Sequence, residues 1–223
     1  MEWSAILLSL RLAATAALLT LPFALPLAGL LAFGQFRGKL VLEAIVSLPL
    51  VLPPTVMGFY LLVAMSPASP LGRIWQAITG STLAFSFSGL VVALVLANLP
   101  FLLQPLVASL GAVDPKHLEA AATLGAGPLR RYLEIALPLA WRGLAAGLVL
   151  AFAHGMGEFG MVLMVGANLP GQTRTASIAL YDQVQALDTT AASHTALFLL
   201  ATAFLVLLLS AWLRGKEGPW LRG

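Results

Sequence analysis

Four stretches of this chain carry no Asp, Glu, Lys or Arg: residues 12–36, 44–72, 74–113 and 189–213. A fifth, 143–173, holds one charge, Glu158. A helix that crosses a bilayer needs about 20 apolar residues, so each stretch is long enough to span. Across the 223 residues, 60% are hydrophobic and 9% charged, against about one-quarter charged in soluble domains. That excludes an ordinary soluble domain, and it excludes disorder, which needs low hydrophobicity and high net charge. Residues 1–223 read as one transmembrane domain. The first apolar run opens with Glu2 rather than a basic segment and continues to Phe33, so it reads as a retained span, not a cleaved signal. With no cysteine, disulfides, thiolate nucleophiles and zinc–thiolate sites are excluded.

The predicted spans are roughly 8–33, 41–65, 84–110, 138–165 and 193–213, with a sixth if a short separate helix precedes Arg11. Pro22, Pro26, Pro49, Pro53, Pro54, Pro100 and Pro105 punctuate them. Proline removes a backbone donor, which is tolerated at membrane depth where neighbouring helices or a wet cavity satisfy the freed groups. The expectation is an all-α polytopic bundle of bent helices around a central path. Arg37, Lys39, Lys116, Arg130, Arg131, Arg142, Arg214, Lys216 and Arg222 fall on one set of connections, and Arg11, Arg73 and Arg174 on the other, nine against three. The richer side is cytoplasmic, which puts the N-terminus outside and the C-terminus inside. Arg37, Lys39, Arg214 and Lys216 read as helix-end snorkelling, and the cations are too scattered for a nucleic-acid surface.

Residues 111–137 form the most informative connection. Asp114-Pro115 is a helix start, with Asp as N-cap and Pro at the first helical position. Gly125-Ala126-Gly127-Pro128 ends that helix and begins a second, predicted from Leu129 to Ala136 and stopping at Leu137-Pro138. Leu118, Leu124, Leu129, Leu133 and Ile135 are the expected apolar contacts. A helix pair this short is marginal alone in water. It needs a partner, either the rest of this chain or another subunit.

Glu119-Ala120-Ala121, three residues, Gly125, nine residues, Ile135, one residue and Leu137-Pro138 resemble the EAA motif of ABC importer permeases at every defined position. The resemblance implies a permease-like bundle whose cytoplasmic loop forms a coupling helix, residues 115–127, seated in a cleft of an ATP-binding subunit. Glu119 would be the polar contact, Ala120 and Ala121 would permit close approach, and Gly125 would make the turn. Residues 48–58, with Pro53, Pro54, Thr55 and Gly58, look like the second-span signature of molybdate permeases, and Gly157-Glu158-Phe159-Gly160 with 168–173 look like their fourth-span and outer-loop signature. Tungstate and sulfate permeases share versions of these, and the compact length favours molybdate. The resemblance covers residues 5–213. It implies a bacterial inner-membrane protein with a periplasmic N-terminus, working with a second copy of itself, two ATP-binding cassette subunits and a periplasmic molybdate-binding protein. ATP and magnesium would sit on the partner subunit, with no cofactor in this chain.

Within the membrane, Glu158 is the one acidic residue well inside an apolar stretch. Such carboxylates face the bundle interior or a wet cavity. A negative charge is a poor anion site, so Glu158 is assigned to gating or helix positioning, with Arg174 as a candidate local partner. Pro53-Pro54, Thr55 and Gly58 can expose backbone at mid-span and mark the candidate translocation path, beside the plainer reading of a packing kink. Gly143, Gly147, Ala151 and Gly155 make a small-residue stripe, read as a packing face. Segments 66–81 and 166–192 are expected to be outer docking surfaces, with Ile178, Tyr181, Val184 and Leu187 on one face of an interfacial helix. Trp3, Trp75, Trp212 and Trp220 read as interface anchors.

Gly34-Gln35-Phe36-Arg37-Gly38-Lys39-Leu40 fails as a phosphate-binding loop: three residues separate the glycines instead of four, and Leu40 replaces the magnesium-holding Ser or Thr. His117, His154 and His194 lack metal spacing and read as solitary polar contacts. An intramembrane serine hydrolase is the rival from another class. It would need Ser86 or Ser88 to meet His154, and no nucleophile elbow is present. No catalytic residue is assigned.

Overall fold

The computed structural model describes residues 2–214, and among them every regular element is a helix. Lys216, Trp220 and Arg222 lie outside the described residues. α1 runs Trp3–Phe33 without a break despite Pro22 and Pro26, so no separate helix precedes Arg11. Its buried positions, including Ala5, Ser9, Leu12, Ala16, Thr20, Ala24 and Ala28, recur every three or four residues and form a stripe of mostly small side chains that admits close neighbours. α2 (Lys39–Val51) and α3 (Pro54–Met65) meet at a bend of 109°. α4 (Pro70–Thr79) is short and capped by Ser69, whose hydroxyl accepts the Gly72 N–H at 2.9 Å. α5 (Phe87–Gly111) is the next long helix.

The central loop holds α6 (Pro115–Thr123), α7 (Pro128–Arg131), a π-helical turn (Tyr132–Ala136) and α8 (Leu137–Leu139). α9 (Trp141–Gly157) leaves it at 73°. α10 (Gly160–Gly166), α11 (Ala176–Gln185) and α12 (Thr189–Arg214) follow. α1, α5 and α12 are each long and apolar enough to cross a membrane, and the number of spans reaches the expected five when each bent pair is one span.

α1, α5 and α9 pack on one another, with α12 against α9 and α10 against α3 and α5. α5 and α9 approach to backbone contact: a Cβ at Gly147 would stand 2.7 Å from the Leu102 carbonyl oxygen and 3.0 Å from its Cα. Gly143 of α9 likewise faces Ser109 of α5, and Gly155 meets Ala13 of α1. The small-residue stripe is therefore a packing face inside the chain. One apolar cluster gathers Leu12, Leu90, Leu94, Met161, Val165 and Ile178. A second holds Ala24, Ala28, Leu102, Leu106, Leu110 and Ala136.

Three expectations change. The loop's second helix does not stop at Leu137-Pro138. The Leu137 N–H reaches back to the Tyr132 carbonyl, a π-turn that absorbs the donor Pro138 lacks, and the chain stays helical to Leu139. The fourth span is not one helix, because Glu158 is extended (φ −66°, ψ 127°) and Phe159 is non-helical (φ −122°, ψ −58°). The four residues expected on one helical face are not all on α11, which ends at Gln185: Ile178 is buried in the bundle, Tyr181 and Val184 are exposed, and Leu187 lies beyond the helix end.

Candidate functional site

The EAA-like hairpin is built from local rules. Asp114 Oδ1 accepts the Lys116 N–H at 2.9 Å, and Pro115 takes the first helical position, where no donor is needed. At the other end the Gly125 N–H bonds the Ala122 carbonyl, and the Ala126 N–H bonds the Ala121 carbonyl, both at 3.0 Å. That is a Schellman cap, and it needs the left-handed residue that Gly125 supplies at φ +84°. α6 rests on the bundle through buried Ala121 and half-buried Leu118, which joins the second apolar cluster. Glu119 and Ala120 point away, and Leu124 is 88% exposed. Only one of the two expected close-approach alanines is thus free for a foreign surface, since Ala121 is used internally.

The second half of the motif is a brace. Ile135 and Leu137 are half-buried and Pro138 is exposed. The Tyr132 hydroxyl donates to the Leu25 carbonyl of α1 at 2.6 Å, and its ring packs edge-on against Phe33, centroids 6.5 Å apart. Leu129 and Leu133, like Leu124, are exposed rather than internal contacts. With Leu25, Pro26, Leu30 and Phe33 they line an open apolar groove of about 510 Å³.

The two membrane segments singled out from sequence meet. Leu52-Pro53 breaks the second span and Glu158-Phe159 the fourth, and the helices that restart after each break, α3 and α10, lie against each other. A Cβ at Gly160 would stand 3.2 Å from Pro54 Cβ and 3.3 Å from Thr55 Cγ2. A Cβ at Gly58 would stand 3.0 Å from Met161 Cα. Pro54, Thr55, Gly58 and Gly160 therefore form one contact, about 100 residues apart in the chain. Pro53 and Thr55 are exposed beside it, and Gly157 opens onto free space. Phe159 leans on Tyr181 of α11, centroids 5.1 Å apart.

Glu158 is 8% exposed and works as a cap: its Oε1 accepts the Met161 N–H of α10 at 3.0 Å. The candidate partner Arg174 is engaged elsewhere, with Asp182 at 2.7 Å, Asn168 at 2.8 Å and Glu2 at 3.4 Å. Glu158 instead faces His154, Nε2 to Oε2 3.5 Å. His154 is not a solitary polar contact, since its Nδ1 lies 3.0 Å from Asn98 Oδ1. The i, i+4 spacing of His154 and Glu158 was the sequence signal available for this pair; Asn98 left none. Neither Ser86 nor Ser88 meets this histidine. Ser86 and Ser88 stand 12 and 10 residues before Asn98 at the start of α5, about 15–18 Å away at 1.5 Å per residue, and the Ser86 hydroxyl is used as a helix cap.

Comparison with known proteins gives the chain's family and fold. Residues 10–215 match the family described as binding-protein-dependent transport system inner membrane component. The chain is 45% identical over 206 residues to the molybdenum transport system permease protein ModB of Azotobacter vinelandii, covering 92% of this chain and 91% of that one. It is 40% identical over 213 residues to ModB of Escherichia coli K12, covering 95% and 93%. In fold it is similar to a chain in the crystal structure of a bacterial alginate ABC transporter in complex with an alginate pentasaccharide-bound periplasmic protein. That match has a TM-score of 0.72 and 18% identity, and covers 100% of this chain and 81% of that one.

Proposed function

The chain belongs to the family of binding-protein-dependent transport system inner membrane components, and from that premise we propose that it is the permease subunit of an ABC importer carrying molybdate across the bacterial inner membrane. The likeness to molybdenum permeases along more than nine-tenths of the chain carries this reading. The chain works as a homodimer with two ATP-binding cassette subunits, which hold the ATP and magnesium, and a periplasmic binding protein hands over the anion. The excess of basic residues on the hairpin side supports a cytoplasmic hairpin and C-terminus and a periplasmic N-terminus.

The hairpin is the docking element, offering Glu119, Ala120 and Leu124 to the ATP-binding subunit. Its braced half, tied to α1 through Tyr132, turns movement of that subunit into movement of the bundle. Rigid-body rocking between inward-open and outward-open states follows from such a lever. The double break is the path or gate: Pro53, Pro54, Thr55 and Gly58 on one side, and Gly157, Glu158, Phe159 and Gly160 on the other. Irregular backbone at membrane depth belongs where it lines a cavity.

The test is ATP-dependent uptake of labelled molybdate into vesicles holding the full complex, with tungstate and sulfate as competitors. Uptake should survive excess sulfate; abolition by sulfate would move the assignment to that anion. The chain has no cysteine of its own, so Thr55→Cys gives one labelling site. A charged thiol reagent should then block uptake while ATP-binding subunits still co-purify. Labelling without loss of uptake would remove residues 53–58 from the path.

A further inference from the structure

The double break contains a carboxylate beside the route of an anion, and the residues around Glu158 resolve the conflict. His154 is held from three sides. Its Nδ1 lies 3.0 Å from Oδ1 of Asn98, which is fully buried. Its ring stacks on Phe101 with centroids 4.1 Å apart and planes 23° from parallel. Its Nε2 points at Glu158 Oε2, 3.5 Å away. With Asn98 Oδ1 as the acceptor, Nδ1 carries the hydrogen of that bond, while Asn98 Nδ2 is buried with no hydrogen-bond partner among the described residues. Nε2 therefore faces a carboxylate oxygen at a site where Glu158 is buried and the His154 side chain is 23% exposed, and two facing lone pairs there would be costly. A proton between Nε2 and Oε2 removes that cost, and on either atom it leaves the pair neutral overall.

We propose that His154 is a positioning and charge-compensating residue: fixed by Asn98 and Phe101, it cancels the charge of Glu158, so that Glu158 caps α10 beside the path without repelling the oxyanion. This rests on reading the double break as the path. An uncompensated carboxylate would act on a passing anion through a medium that screens poorly, where charge effects are several-fold larger than in water.

The test uses the complete reconstituted complex carrying H154A, E158Q or both. H154A is expected to lower ATP-dependent molybdate uptake by about tenfold or more, since a barrier raised by only about 1.4 kcal/mol is already tenfold in rate, with the complex recovered intact. Adding E158Q, which keeps the cap to Met161 and removes the charge, is expected to restore uptake to within about twofold of E158Q alone, because the two sites are coupled. H154Q, closer to the ring in volume, replaces H154A if the latter is not recovered as a complex. Wild-type uptake in H154A, or an equal loss with and without the Glu158 charge, overturns the proposal. The thiol block at Thr55 tests the path by itself. Block without rescue removes this proposal alone; rescue without block removes the path and with it the repulsion of a passing oxyanion, leaving only the coupling of His154 to Glu158.

Discussion

The coupling hairpin and the double break are both interruptions in an apolar bundle, and they treat their polar groups in opposite ways. The hairpin satisfies its backbone internally, through Asp114 and the Gly125 cap, and leaves its apolar tip uncovered, with Leu124 88% exposed. The break does the reverse. Its side chains are paired in a chain from Asn98 through His154 and Glu158 to the Met161 N–H, and its backbone is irregular at Pro53 and at 158–159. A surface made for another chain keeps its shape and withholds its contacts. A device that stays within one chain spends its contacts on holding an unusual backbone.

Three substitutions would break or sharpen that contrast. Gly160→Val should have the largest effect. Its Cβ would stand 3.2–3.3 Å from Pro54 and Thr55, and the added methyls would push α3 and α10 apart at a cost of about 2 kcal/mol. Thermal unfolding of the purified chain in detergent should show it, with undiminished recovery of ATP-binding subunits from the folded fraction; lost recovery there would mean that the two regions are not separable. Gly125→Asp comes next. The position has open space but a positive φ, so folding should lose about 1 kcal/mol while pull-down of ATP-binding subunits drops sharply. Normal pull-down with normal uptake would refute the docking role. Arg130→Ala should do least. Its bond to Glu134, 2.7 Å long, joins side chains 69% and 59% exposed, and a pair this open to water contributes little to stability. Unchanged unfolding and uptake are expected, and a large loss of uptake with unchanged unfolding would show that the exposed face of α7 is also part of the docking surface.

The hairpin was legible in the sequence because its landmarks are local. Asp114-Pro115, Gly125 and Gly127-Pro128 each act within one helical turn, and each stands where the spacing put it. The π-turn before Pro138 was not legible, since a proline after a run of helix formers reads as a stop unless the backbone shifts its bonding by one residue. The break at Pro53-Pro54 announced itself, but its meeting with Gly160 depends on how α3 and α10 pack. The same holds for His154, whose partners come from α5 and from beyond the end of its own helix. Leu129 and Leu133 read as apolar contacts with their partner left open, because apolar spacing does not say whether a face meets protein or the surroundings of the bundle.

The grip of Tyr132 on Leu25 has one more consequence. The hairpin owes its fixed form to a helix more than 100 residues away, so a synthetic peptide spanning 111–139 would have no such clamp and would melt. Such a peptide would have to order itself on each encounter with the ATP-hydrolysing partner and would compete feebly with the intact permease. Inhibitors copied from this loop would need a staple standing in for α1.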